Sequence, residues 1–101
     1  MSHVVPNEIL RQLGGNRFVV ITGAKDFVGS KISLSMTLPH GAKGNRLKIT
    51  LNGNDLYDLK LQNYRNLKLK DISLVSDVFV ENLLDVFEAM TGLYTTLTVR
   101  K

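Results

Sequence analysis

Cysteine and tryptophan are absent from the 101 residues, proline occurs twice, and aromatic residues make up 7%. Without cysteine there is no disulfide, no thiolate nucleophile and no Cys-ligated zinc, which suits a reducing cytoplasm. The two histidines, His3 and His40, have no other ligand at metal spacing, so neither a metal nor a cofactor is expected. No apolar run approaches the roughly 18 residues that a membrane span needs. The start "MSHVVPNEIL" lacks the basic and apolar regions of a secretory signal. Aromatic stacking on single-stranded nucleic acid is disfavoured, because Phe18, Tyr57 and Phe87 fall on inward positions and Tyr64, in a turn, is the free candidate.

What is present reads as one globular domain over 1–101, with 44% hydrophobic and 22% charged residues. The formal charge is +4, unevenly spread. Residues 1–76 hold eleven Lys and Arg against five Asp and Glu, whereas 77–90 hold four acids and no base.

The order of elements predicts an α+β fold: an antiparallel meander of about five or six strands, a short N-terminal helix and a longer C-terminal helix packed on one face. Pro6, Ile9, Leu10 and Leu13 mark the first helix, with Gly14 ending it. "RFVVIT" (17–22) is a continuous β-branched run and reads as a strand buried on both faces. "GAKDFVGS" (23–30) reads as a connection. Alternation then places Ile32, Leu34, Met36 and Leu38 inward on one strand and Leu47, Ile49 and Leu51 inward on the next. "NGND" (52–55) is an Asn-Gly hairpin signal, and Tyr57, Leu59 and Leu61 share the inward face of the strand after it. "QNYRN" (62–66) reads as a turn. In "LKLKDISLV" (67–75) the alternation slips at Asp71, which predicts a bulge or the end of the strand. Ser76 is the expected N-cap of a helix over 77–90, with Val80, Leu83, Leu84, Phe87 and Met90 as its core stripe and Gly92 as its stop. A last strand is expected over 93–99.

The stretch "QLGGNRFVVITGAKDF" does not make a phosphate loop. Gly15 and Gly23 are eight apart with an apolar run between them, and Asp26 stands where a metal-binding hydroxyl belongs. Nothing forms a nucleophile elbow or an oriented base, so the chain reads as non-enzymatic.

Two charged sets carry the functional reading. Lys31, Lys43, Arg46, Lys48, Lys60, Lys68 and Lys70 fall on polar positions of the sheet and its hairpins, where they can meet nucleic-acid phosphates without reading bases. The alternative is a solvated face whose lysines guard sheet edges. Asp77, Glu81, Asp85 and Glu88 fall on one helical face, which reads either as a solvated face or as a docking stripe for a basic partner, a homodimer being one concrete form.

Three stretches, "QLGGNRFVVITGAKDF", "LKITLNGNDLYDLKL" and "VFVENLLDVFEAMTGLYTTL", together resemble a family of small uncharacterised accessory proteins of bacteriophages and prophages. The resemblance covers about half of the chain. It implies a small accessory protein made in the cytoplasm of an infected bacterial cell, and no mechanism. Two partners fit: nucleic acid on the basic sheet face, or a host bacterial defence protein complex blocked by protein binding. Sequestering a small phosphorylated signal between "GGNR" and "TGAK" is a further variant of the second.

Overall fold

The computed structural model describes residues 4–93 and 95. Five antiparallel strands run as a meander, each beside its neighbour in sequence: β1 (Lys25–Gly29), β2 (Ser33–Thr37), β3 (Arg46–Leu51), β4 (Tyr57–Arg65) and β5 (Lys68–Val78). Helices α1 (Val4–Leu13), α2 (Asn16–Thr22) and α3 (Leu83–Thr91) pack their apolar sides into the same core. This is the α+β meander that the alternation predicts.

Strand register explains the core. Leu34, Ile49 and Leu59 lie side by side across β2, β3 and β4, and Met36, Leu47 and Leu61 form a second row. All six are buried. Cross-strand apolar rows of this kind are the unit of sheet stabilisation, and here they form the floor under the helices.

"RFVVIT" is not a strand. It forms α2, bracketed by Gly15 (φ 62°) and Gly23 (φ 75°), both in conformations open to glycine. Phe18 and Thr22, four apart, turn inward, while Val20 is 73% exposed. A continuous apolar run does not distinguish a buried strand from a helix. The sheet has one covered face, so a strand needing two had no place in it. "GAKDFVGS" is more than a connection, since it contains the edge strand β1, bulged between Lys25 and Val28 where Asp26 has φ 54°.

α2 and α3 end alike. Phe18-x-x-x-Thr22-Gly23 and Phe87-x-x-x-Thr91-Gly92 share a pattern. Thr22 Oγ1 donates to the Phe18 carbonyl at 2.7 Å and accepts from Ala24 N–H at 3.2 Å. Thr91 Oγ1 donates to the Phe87 carbonyl at 2.8 Å and accepts from Leu93 N–H at 3.2 Å. Each glycine is left-handed, and the two phenyl rings meet edge to face with centroids 5.0 Å apart. α1 is tied in near its C-terminal end, where Tyr57 Oη donates to Gln12 Oε1. Burial, then the nearby Glu8 carboxylate, pushes the Tyr57 hydroxyl pKa up, which keeps it a donor.

The second half departs further from expectation. "QNYRN" is not a turn: residues 62–65 continue β4, and the turn is Asn66-Leu67, both with positive φ. β5 runs on to Val78, so Ser76 lies within it and caps nothing. The 77–90 helix is replaced by the end of β5, one 3-10 turn at Val80–Asn82, and α3. Val80 and Ile32, expected inside, are exposed, and Leu51 is only half-buried. The predicted bulge is present. Leu61 pairs with Ser73 and Gln62 with Asp71, leaving Ile72 as the extra residue. Residues 94 and 96–99 of the expected last strand lie outside the described residues.

Two glycines test the turns. A Cβ on Gly44 would lie 2.8 Å from the Gln62 carbonyl oxygen and 2.9 Å from Leu61 Cγ and Ile72 Cδ1. Gly44→Ala is expected to destabilise by about 1–3 kcal/mol in denaturant unfolding. Gly53 lacks the left-handed φ of an Asn-Gly hairpin, because Asp55 (φ 59°) takes that role and the side chain of Asn52 braces the loop. Gly53→Ala should therefore leave the midpoint unchanged or raise it slightly. A loss near 1 kcal/mol would restore the Asn-Gly turn.

Candidate nucleic-acid interface

The helices cover one face of the sheet and leave the other open. On that open face Thr37, Arg46, Gln62 and Asp71 form one row, and Ser35, Lys48, Lys60 and Leu74 the next. Lys25 joins the first row through its pairing with Thr37. Lys48 and Lys60 are direct cross-strand partners. Like charges so placed are destabilising, and only Lys60 is relieved, by Asp71 at 4.0 Å. Asp71 also accepts from Gln62 Nε2 at 2.8 Å.

Past Arg46 the sheet narrows to a two-stranded ribbon. β4 and β5 continue to the Asn66-Leu67 turn, pairing Asn63 with Lys70, Tyr64 with Leu69 and Arg65 with Lys68. Every residue from 64 to 72 is exposed, as expected of strands with no layer on either side. Asn45 clamps the base of the ribbon. Its Nδ2 donates to the Tyr64 carbonyl at 2.8 Å, and its Oδ1 accepts from Tyr64 N–H at 2.7 Å.

The basic residues named from the sequence therefore divide. Arg46, Lys48 and Lys60 share the open face. Lys68 and Lys70 do not share it with them. Lys70 pairs with Asn63, on the side of Leu61, and the Ile72 bulge accounts for this change of side. Lys31 sits in the β1–β2 turn at the far end of the sheet. Lys43 reaches the end of α3, where Nζ donates to the Ala89 carbonyl at 3.4 Å. Lys25 and Arg65 join the basic set, although the sequence reading assigned them to a connection and a turn. Among the described Lys and Arg residues, Arg11 and Lys60 are the ones in ion pairs.

The acidic set does not form one helical face. Asp77 lies in β5 (φ 57°), with Oδ1 accepting from Asn52 Nδ2 at 2.8 Å. Glu81 lies in the 3-10 turn, and only Asp85 and Glu88 belong to α3. Glu88 accepts from Thr95 N–H and Oγ1 at 2.8 and 2.6 Å. "GGNR" and "TGAK" stand at opposite ends of α2, about 10 Å apart at 1.5 Å per residue. The cleft beside Gly14 holds one cation and one anion, Arg17 and Asp85, which does not make a phosphate pocket. Among the described residues, no group of three or more His, Cys, Asp or Glu could hold a metal ion. No helix among them is long and apolar enough to cross a membrane.

Asn45→Ala is expected to speed amide exchange across 63–70 and to cost about 1 kcal/mol overall. Unchanged exchange there would mean that the main-chain ladder alone holds the ribbon. Comparisons with protein-family models, curated proteins and solved structures found no match.

Proposed function

We propose that the chain is a non-enzymatic accessory protein that holds nucleic acid by its phosphate backbone. The ribbon carries this reading. Arg65, Lys68 and Lys70 stand on strands exposed on both faces, and none of them has an acidic partner among the described residues. Arg46 and Lys48 extend the same charge onto the open sheet face. Cations held on a stiff scaffold and left unpaired are suited to replacing the counterions of a polyanion. Exposed base-stacking aromatics are few, Tyr64 being the one on the ribbon, so contact is directed to phosphates rather than bases. The resemblance to phage accessory proteins supplies the setting, the cytoplasm of an infected bacterial cell.

A second reading has its own observation. Leu69, Ile72, Leu74, Val75, Phe79 and Val80 are exposed on or just after β5, an edge strand of 11 residues. Such an edge is a template for another strand. It would serve an inhibitor of a host defence protein complex. It would equally serve a homodimer, since antiparallel pairing of two copies would bring Lys68 and Lys70 of one near Asp77 and Glu81 of the other.

Binding to duplex DNA is expected to weaken with salt at a log–log slope near −3.6, as for about four phosphates. Lys68→Ala with Lys70→Ala should reduce that slope by roughly two. No binding at low salt would sink the reading. Pull-down from infected-cell lysate separates the two readings: partners lost after nuclease treatment support the first, and partners retained support the second. Sedimentation tests the dimer.

A further inference from the structure

The tip of the ribbon combines two unfavourable features in one side chain. Leu67 is 88% exposed, the most exposed large hydrophobic side chain among the described residues. It also has φ 63°, beside Asn66 at φ 54°. Paired positive φ values are those of a type I′ turn, whose second central position favours glycine. Asparagine tolerates this conformation, and leucine does not. A residue chosen only to close the hairpin would be glycine, which would remove both the strain and the exposed apolar surface. Strain held at an exposed position points to a use for the side chain.

We infer that Leu67 is a wedge that enters between adjacent base pairs of duplex DNA and kinks it. The inference rests on the nucleic-acid reading above and assigns a task to its tip. Arg65 and Lys68 are the cross-strand pair directly behind the turn, and Lys70 follows. They place positive charge on either side of the apolar point, where the two phosphate strands flank a groove. Apolar wedges that unstack a base step from the minor-groove side work in this setting, with cations holding the backbones of the opened step. A bilayer fits less well. A wedge needs only one side chain, whereas even a single myristoyl chain gives marginal membrane binding. Asn45 supports the same task, because its two bonds to Tyr64 stiffen the ribbon that would drive the wedge.

The test uses the full chain and a duplex of about 30 base pairs, with dyes at its ends and 2-aminopurine at a central, easily unstacked TA step. The native chain is expected to raise both energy transfer between the ends and 2-aminopurine fluorescence. Leu67→Gly should bind within about threefold of native affinity with the same salt slope, since no cation is removed. It should lose both signals, while its melting midpoint rises by about 4 °C as the strain is released. Leu67→Asn, which also accepts the left-handed conformation, should behave likewise. Binding by the native chain with both signals flat would overturn the wedge alone, as would equal signals from Leu67→Gly. Absence of duplex binding at low salt would overturn the nucleic-acid reading and the wedge with it. Leu67-dependent uptake on phosphatidylserine vesicles without a duplex response would assign the tip to membranes instead.

Discussion

The edge-to-face contact of Phe18 with Phe87 is the joint on which the helical layer depends. α2 has seven residues and α3 has nine, and helices so short do not persist alone in water. Each is kept by the ring it turns inward and by the threonine four residues later, whose hydroxyl binds back to the carbonyl of that phenylalanine. The following glycine then turns the chain away in a conformation that other residues avoid. Both rings are fully buried, in one core with the rows of β2, β3 and β4. Without that floor neither helix would form. Without the helices, the rows would face water.

This small helical layer covers only the middle of the sheet. Ile72 and Val75 of β5 remain exposed, and beyond Arg46 there is no third strand. What emerges is a ribbon stiffened by its own ladder and by Asn45, and otherwise solvated. A chain of 101 residues has material for one core. Strands longer than that core extend past it, and those extensions are where a surface can be given over to binding.

Legibility in the sequence followed the cleanness of the pattern. "RLKITL" alternates without interruption, and β3 has the expected bounds. β2 and the first part of β4 were legible for the same reason. "RFVVIT" was not, because an unbroken apolar run fits two structures. The distinguishing signal was the spacing Phe-x-x-x-Thr-Gly, which recurs at 87–92 at the end of α3, the part of the expected 77–90 helix that is α-helical. Ser76 imitated a cap because Asp77, an irregular residue within β5, looks like an acidic first helical turn. The site followed the same rule. Arg46 and Lys48 sit on a clean strand and were placed correctly. Lys68 and Lys70 lie beyond the Ile72 bulge, which was foreseen near Asp71 without its effect on their side of the sheet. Arg65 and Leu67 were hidden because the ribbon's turn consists of Asn66 and a leucine, not the Asn-Gly that marks such turns in sequence.

The meander also sorts charge along its length. The β1–β2 and β3–β4 turns share one end of the sheet, and the 38–45 loop and the β4–β5 turn share the other. Asp55, Asp58, Asp77 and Glu81 gather at or near the first end, with Lys31 among them. Lys25, Arg46, Arg65, Lys68 and Lys70 gather toward the second, with Asp26 beside Lys25 and Asp71 engaged by Gln62 and Lys60. The molecule extends 36 Å along its longest axis, several times the screening length of about 8 Å at physiological salt. A polyanion approaching the ribbon therefore senses its cations and little of the distant carboxylates. The net charge of +4 understates the attraction at that end and overstates it at the other. The same separation would turn the molecule toward a polyanion with the ribbon leading, if the proposed function holds. Charge order, strand length and the apolar tip thus converge on the ribbon, whose residues 64–72 the helical layer leaves exposed.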